Sequence, residues 1–261
     1  MSSKAVIDLN CDMGESFGIY SIGSDQGMCA YITSANIACG FHAGDPLVME
    51  HTVAYCVEAG VAIGAHPSVP DLVGFGRRAL AVTPEQLRTD FLYQVSALRG
   101  FVEAQGQTLQ HCKPHGAIYH QAIKDDELAR AIAEGVKAVD PQIILVPLAG
   151  SHMGEVWEDV GLKVAQEGFA DRAYNEDGTL VPRGLPGAVI HDRKIVSERV
   201  IKMATEGKVQ VRTGKLVEIG RIDTICFHGD TPGAVELAKN VRMEIEKQDV
   251  GIEIIPMSRF I

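Results

Sequence analysis

The sequence has no long apolar run. No stretch approaches the ~20 consecutive apolar residues that a membrane-spanning helix needs. The N-terminus also lacks a charged region followed by an apolar segment and a cleavage site. From these two absences we expect a chain that stays in the cytoplasm.

Positive charge is scarce as well. Lys and Arg total 24 against 34 Asp and Glu, so the formal net charge is −10, and the basic residues form no long run. A chain of this charge repels the phosphate backbone of nucleic acids. We therefore do not expect a nucleic acid partner.

Several local motifs are missing. The six cysteines have wide, irregular gaps and no C-x-x-C pair, which favours reduced thiols over a zinc knuckle or a redox couple. The G-x-S-x-G elbow, the Gly-rich dinucleotide fingerprint and the H-E-x-x-H motif are absent. The phosphate loop G-x-x-x-x-G-K-[ST] is absent too, so any ATP must be held in another way.

What is present indicates a globular α/β protein. Apolar residues make up 46% of the 261 residues and charged residues 22%, which suffices for a sizeable core. No repeat or linker divides the chain, and β/α barrels routinely reach this size around one core. We therefore predict a single domain over residues 1–261.

Short apolar runs alternate with helical patterns along the chain. This alternation is typical of a parallel sheet built from βα units, as in TIM-like barrels. The predicted strands are Ala5–Leu9, Ser34–Ala38, Val61–Ala65, Leu109–Cys112, Ile143–Val146, Leu162–Ala165 and Thr224–Phe227.

Helix boundaries are also marked. Asp45 and Pro46 supply an N-cap and a first-turn proline, and Gly60 can end the same helix in the left-handed conformation. Thr83 and Gln86 form a capping-box pattern for the next helix. A long segment rich in Gly, Pro and charge, from Asn175 to Gly187, is predicted to be a functional loop.

Nearly every predicted strand leads into ionisable or amide side chains. Because parallel strands place all their following loops on one face, we expect these side chains to converge on one mouth. Four of the nine histidines follow four separate strands, which a random placement of histidines along the chain does not readily explain. The other five are interpreted as structural: His51, His111, His120, His152 and His191. The strand-end residues are Asp8, Asn10, Asp12, Glu15, Asn36, His42, Asp45, His66, Lys113, His115, Glu167, Asp171, Arg172, His228 and Asp230.

Two segments share one construction. His42-Ala43-Gly44-Asp45-Pro46 and His228-Gly229-Asp230-Thr231-Pro232 each place a histidine before a glycine turn and a capped helix start. The free N–H groups of such a start can hold a carboxylate or phosphate. Ordinary helix capping explains the Asp, Thr and Pro residues but not the histidines.

Two chemistries are open to these residues. Asp12, His66 and His115 offer the carboxylate and imidazole ligands of a hydrolytic divalent-metal site. Without a metal, Asp12 would act as general base, and Lys113, His115 and His228 would stabilise charge on a carbonyl oxygen.

Six stretches resemble the LamB/YcsF family, whose members are described as the A-type subunit of 5-oxoprolinase. They span almost the whole chain in order, which makes the match far more specific than any short motif. The stretches are IDLNCDMGESFG from Ile7, NIACGFHAGDP from Asn36, GAHPSVPDLVGFGRR from Gly64, KPHGAIYH from Lys113, EGFADRAYNEDGTLVPR from Glu167 and FHGDTPGAV from Phe227.

The resemblance implies a seven-stranded parallel β/α barrel akin to the glycoside hydrolase and deacetylase barrels. It also implies ATP-driven cleavage of the lactam 5-oxo-L-proline to L-glutamate, with partner subunits B and C. From the residues themselves, we interpret Asp12, Lys113, His115 and His228 as catalytic. The substrate-binding residues are Asp8, Asn10, Asn36, His42, Asp45, His66, Arg172 and Arg183, with the two arginines as carboxylate or phosphate clamps.

Two alternatives remain open. A stand-alone, metal-dependent deacetylase acting on N-acetylated sugars would need much the same residues. A noncatalytic protein that binds the lactam for a partner enzyme is the other. Dependence on ATP and partners separates the first from the leading hypothesis, and substitution of Asp12 and His115 separates the second.

Overall fold

The computed structural model describes residues 4–247 and 251–261. It contains a main sheet, a separate hairpin and surrounding helices. The strands are β1 (Ala5–Met13), β2 (Ser34–Ala38), β3 (Ala62–His66), β4 (Leu109–Cys112), β5 (Ile144–Leu145), β6 (Glu167–Phe169), β7 (Lys208–Gln210), β8 (Leu216–Glu218), β9 (Thr224–His228) and β10 (Ile252–Ile254). The helices are α1 (Asp25–Met28), α2 (Pro46–Ala59), α3 (Pro84–Ala104), α4 (Ala117–Ala122), α5 (Asp126–Val139), α6 (Met153–Val160), α7 (Arg193–Glu206) and α8 (Ala234–Lys247).

Seven parallel strands curl into a half-barrel in the spatial order β5-β4-β3-β2-β1-β9-β6, and β10 adds to β1. Isolated parallel bridges, Leu145 with Val164 and Leu148 with Glu167, connect the two outer strands of this path. The predicted seven-stranded parallel β/α arrangement is confirmed. None of the helices in the described part of the chain is long and apolar enough to cross a membrane.

The central strand β1 has one apolar face and one polar face. Successive side chains of a strand point to opposite sides, and Leu9 and Cys11 belong to the main apolar core cluster. Asp8, Asn10 and Asp12 are equally buried but point the other way, where they make side-chain hydrogen bonds. The inside of the half-barrel is therefore polar.

The helix signals in the sequence are confirmed. Asp45 caps α2 by accepting hydrogen bonds from the N–H groups of Leu47 and Val48, and Gly60 ends the helix with φ of 68°. Thr83 and Gln86 form the capping box of α3. Both helices pack their buried faces on the sheet side, since each contributes to the main apolar cluster.

Two predicted elements need correction, the sixth strand and the last helix. Residues 162–165 make only the Val164 bridge, whereas the sixth strand is Glu167–Phe169, which pairs residue by residue with β9. The apolar run at residues 162–165 did not locate the strand, because the observed strand has only three residues and begins with the buried Glu167. The last helix begins at Ala234 rather than at Thr231, and the sequence interpretation also missed the β7–β8 hairpin and β10.

Candidate active site

A cavity of about 610 Å³ opens where the barrel strands end. The strand-end side chains do converge there, as expected from a parallel sheet. Seven of the predicted site residues line this cavity: Asp12, His66, Lys113, His115, Arg172, Arg183 and His228. The 175–187 loop contributes Asn175, Asp177 and residues 179–183 to the wall, and His120, interpreted as structural from the sequence, lies there too.

Lys113 lies at the centre of the cavity floor. Its ammonium group donates to Asp12 Oδ1 at 2.9 Å and to the Cys226 thiol at 2.9 Å, and it forms an ion pair with Glu167 Oε1 at 3.0 Å. Burial alone would lower the pKa of Lys113, but Asp12, Cys226 and Glu167 together raise it well above its usual range. The side chain is therefore a fixed cation.

Asp12 is the fixed anion beside it. Burial opposes ionisation, but the adjacent His66 and Lys113 outweigh burial and hold the pKa of the Asp12 carboxyl well below its usual range. Asn36 Nδ2 also donates to Asp12 Oδ1 at 2.9 Å. An ionised carboxylate that faces a cavity can accept a proton from a bound water.

A layer of amides below Asp12 fixes its orientation. Asn36 Nδ2 also donates to Asn10 Oδ1 at 2.7 Å, and His111 Nε2 lies 2.7 Å from Asn36 Oδ1. Asn10 Nδ2 in turn donates to Thr224 and Glu167. Asn10 and Asn36, predicted to bind substrate, do not line the cavity and instead support the residues that do.

Four buried side chains form what we call the histidine cluster: Glu15, His42, His66 and His115. His66 Nδ1 lies 2.7 Å from the Lys113 carbonyl and His115 Nε2 lies 2.9 Å from the Phe75 carbonyl. A carbonyl oxygen only accepts, so His66 Nδ1 and His115 Nε2 each carry a proton. The remaining nitrogens, His66 Nε2 and His115 Nδ1, lie at a hydrogen-bond distance of 3.0 Å, with room for at most one proton between them.

Three polar atoms of this cluster lack hydrogen-bond partners. Both ring nitrogens of His42 and Oε1 of Glu15 are buried without one, and that oxygen lies 3.5 Å from both His42 Nε2 and His115 Nδ1. Burial, with neighbouring histidines, holds the pKa values of His42 and His115 well below the usual range. Neutral imidazoles with their second N–H held by a carbonyl are typical metal ligands, so this donor set fits a divalent cation.

The predicted metal set needs one correction. His66 and His115 belong to the cluster, but its carboxylate is Glu15, whereas Asp12 groups with Cys226 and His228. Asp12 Oδ2 lies 3.3 Å from His66 Nε2, which is the point where the two groups meet. Glu15 follows β1 in the sequence, yet its place in the site depends on contacts with the loops after β2 and β4.

Phe75 closes the cluster on one side. Its ring makes edge contacts with His42 and His115, with centroids 5.6 and 5.3 Å away. It is the one non-glycine residue with positive φ, 53°, in the described part of the chain. Such backbone conformations persist where surrounding contacts enforce them. Here the conformation is found where the Phe75 carbonyl accepts from His115.

His228 and Asp171 form a second unit. His228 Nδ1 lies 2.8 Å from Asp171 Oδ1, and the imidazole stacks on Phe169 with centroids 5.6 Å apart. The carboxylate fixes the tautomer with the proton on Nδ1, so Nε2 is free for proton exchange. Burial would raise the pKa of Asp171, but His228 and Arg183 hold it below its usual value.

Two predicted substrate contacts lie elsewhere. Asp8 accepts from the hydroxyls of Thr33, Ser34 and Thr224, where β2 and β9 begin, at the opposite end of the strands. Asp45 accepts from Gly18 N and the first turn of α2. Both carboxylates therefore accept hydrogen bonds from hydroxyl and backbone N–H groups that maintain the fold. His42 is also outside the cavity lining, behind His115, with ring centroids 3.7 Å apart.

The two repeated His-Gly-Asp segments differ in structure. Asp45 caps its helix, which occupies the N–H groups that were expected to hold an anion. Asp230 instead accepts from Arg77 and Arg183, at 2.6 and 2.9 Å. Its position after β9 brings it close to the arginines of other loops, so an ion pair replaces the cap.

Sequence reasoning missed Tyr119. This residue lies in α4, and its hydroxyl donates to Glu167 Oε2 at 3.0 Å while its ring lines the cavity. Burial raises the pKa of Glu167, with Lys113 opposing. A single tyrosine on a helix has no sequence pattern that marks it as a site residue. The only signal for Tyr119 was its position in the family-like stretch KPHGAIYH.

The curled parallel sheet and the polar cavity at its carboxyl end define a TIM-like β/α protein equipped for acid–base chemistry. The chain belongs to the LamB/YcsF family, whose model matches residues 7–260. It is 56% identical to the A-type subunit of 5-oxoprolinase from Thermococcus onnurineus (strain NA1) over 255 residues, 98% of this chain and 99% of that protein. The corresponding Clostridium beijerinckii protein is 52% identical over 97% of this chain and 98% of its own length.

A solved structure supports the same assignment. The lactam utilization protein from Thermus thermophilus superposes with a TM-score of 0.89 and 45% identity, covering 95% of this chain and 98% of that one. The family resemblance inferred from the six stretches is thereby confirmed.

Proposed function

We propose that this chain performs the hydrolytic step in the ATP-dependent opening of 5-oxo-L-proline to L-glutamate, as the A-type subunit of a complex with subunits B and C. The names of its relatives support the reaction. The observation that carries the proposal is the buried Lys113 ammonium, held between Asp12 and Glu167 on the floor of the cavity.

Opening a lactam needs a base for water, a positive group for the carbonyl oxygen and a proton for the ring nitrogen. Asp12 accepts the proton from water, since its carboxyl stays ionised. Lys113 stabilises the negative charge that develops on the carbonyl oxygen. Its bond to the Cys226 thiol is the weakest of its three and is the one to be exchanged for a substrate oxygen.

His228 passes to the leaving nitrogen the proton that Asp12 takes from water. Its unprotonated Nε2 first receives that proton from Asp12, which lies beside it, and is unprotonated again once the ring nitrogen carries the proton. Its Nδ1 is held by Asp171, so the imidazole keeps one orientation while Nε2 exchanges a proton with the cavity. Protonation of the ring nitrogen makes the amine a better leaving group, and the lactam opens to the amino acid.

The histidine cluster is the proposed metal site, held by Glu15, His42, His66 and His115. A divalent cation bound there would act as a Lewis acid next to the lactam carbonyl. We assign ATP consumption to the partner subunits, because this chain lacks a phosphate loop.

Reconstitution tests this function. We expect glutamate formation from 5-oxo-L-proline only when this chain, subunits B and C and ATP are all present. Asp12→Asn should lower the rate of the complex by about 100-fold or more, while Asp159→Asn, an equal change on an exposed position of α6, should leave it unchanged.

Two results would redirect the proposal. Full activity of the isolated chain on N-acetylated sugars, without ATP, would make it a deacetylase. Unchanged turnover of the Asp12→Asn complex, together with weaker lactam binding, would make it a noncatalytic carrier.

A further inference from the structure

Arg172 is a buried cation that forms no ion pair with a carboxylate in the part of the chain that the structure describes. Its side chain lines the cavity and is only 5% exposed. Nη2 donates to the backbone carbonyl of Val181 at 2.7 Å, and Nε is buried without a partner. No carboxylate of the described residues lies within ion-pair distance of it, since Asp171, next in sequence, pairs with His228.

The nearby arginines do not relieve this imbalance. Asp230 is shared by Arg77 and Arg183, so two guanidinium groups already depend on one carboxylate. Nε and Nη2 of Arg183 are buried without partners as well. Burial, followed by the like charge of Arg183, lowers the pKa of Arg172. The outer part of the cavity therefore carries an excess of positive charge and unused N–H donors.

Arg199 shows how a structural arginine differs. It is also buried and its Nε also lacks a partner, but both of its terminal nitrogens donate, to the carbonyls of Gln210 and Arg172, each at 2.7 Å, and it lies over the Tyr174 ring. It does not line the cavity. Arg172 and Arg183, in contrast, both line the cavity that a ligand can enter.

We propose that Arg172 and Arg183 bind the carboxylate of the substrate and so select lactams that carry an acid group. This inference rests on the proposed function, since the lactam amide must then lie over Asp12 and Lys113. A guanidinium group matches a carboxylate in shape and can donate two parallel hydrogen bonds to it. The arginine pair thus determines specificity, whereas the floor performs the chemistry.

A pair of ligands that differ only in the carboxylate provides the test. L-5-oxoproline and 2-pyrrolidinone share the lactam ring, and both can be titrated calorimetrically into the purified full-length chain. We expect the wild type to bind 5-oxoproline at least about 10-fold more tightly. Arg172→Met should weaken 5-oxoproline binding by about 10- to 100-fold and leave 2-pyrrolidinone binding nearly unchanged.

Arg183→Met is the second variant, because its loop position tolerates substitution better than the buried Arg172 does. It should reduce the same affinity ratio. Arg130→Met, an equal loss of charge on the exposed side of α5, should leave the ratio unchanged. Circular dichroism confirms that each variant is folded before its ratio is compared.

Three results would overturn the inference. The first is a wild type that binds both lactams equally or binds neither. The second is an affinity ratio that stays the same in both variants. The third is tighter binding of inorganic phosphate than of 5-oxoproline, lost in Arg172→Met, which would assign the pair to a phosphoryl group. None of these depends on turnover, so the hydrolytic function is judged separately by reconstitution.

Discussion

At the scale of single residues, Asp12 joins the parts of the site. Oδ1 accepts from Lys113 and Asn36, and Oδ2 lies 3.3 Å from His66. One carboxylate therefore contacts the cation of the floor, the amide layer and the histidine cluster. Its geometry depends on all three, which explains why a buried ion is retained in the centre of the barrel despite the cost of desolvation.

Asp8 gives a prediction for stability. Burial raises the pKa of Asp8 from 3.8 to about 6, although the Ser34, Thr224 and Thr33 hydroxyls oppose the shift. The native protein therefore holds this proton more tightly than the unfolded chain does. Its stabilising contribution is complete below pH 3.8 and is lost as the pH rises through about 6.

We expect this single group to lower the free energy of unfolding by about 3 kcal/mol across that interval. Urea unfolding of the wild type and of Asp8→Asn measures the effect. The pH should run from about 3.5 to about 7, so that the range includes both pKa values. The variant should lose less stability with rising pH, and Asp159→Asn should follow the wild type. Parallel profiles for all three proteins would contradict the assignment.

At the scale of elements, β3 and β4 approach each other closely because Gly64 has no side chain. A Cβ at Gly64 would collide with the imidazole ring of His111, the residue that contacts Asn36. The pairing register itself shifts between Ile63 and Gly64. This glycine thus makes room for the amide layer under Asp12.

Two glycine substitutions with opposite outcomes test this packing. Gly64→Ala should lower the free energy of unfolding by about 1–3 kcal/mol, because His111 must shift. Gly100→Ala in α3 meets open space and should raise it by about 0.5–1 kcal/mol. Denaturant unfolding at constant pH measures both. A Gly64→Ala protein as stable as the wild type would show that the space between β3 and β4 accommodates a Cβ atom.

On the largest scale, the histidine cluster brings together three loops and the end of one strand. Its residues follow β1, β2 and β4 or end β3, so a cation bound there would link neighbouring strands. A ligand that binds only the native state stabilises it by mass action. Metal binding should therefore be measurable as stability, independently of activity.

We expect zinc, manganese or cobalt, at 100 times its dissociation constant, to stabilise the chain by about 2.7 kcal/mol. Thermal unfolding with each metal, and after removal by chelator, measures the shift. His66→Ala should abolish it, whereas His51→Ala, an exposed histidine of α2, should retain it. An equal shift in both variants, or none in the wild type, would remove the metal from the proposal.

Local sequence patterns were enough to predict several features of this protein. Alternating apolar and helical runs predicted the parallel sheet, and capping residues such as Asp45 and Thr83 predicted where helices begin. Strand ends predicted part of the cavity lining, because parallel strands deliver their loops to one face; the residues are Asp12, His66, Lys113, His115, Arg172 and His228. These features depend on neighbours a few residues apart.

The pairing of the side chains, in contrast, depends on long-range packing. Asp12 and Lys113 are 101 positions apart in the sequence, and His228 and Asp171 are 57 positions apart. Asp8 and Asp12 lie on the same face of β1, but strand register places one beside the cavity and the other at the far end. Burial and long-range register, which no local pattern encodes, thus separated Glu15 and Tyr119 from the structural polar residues.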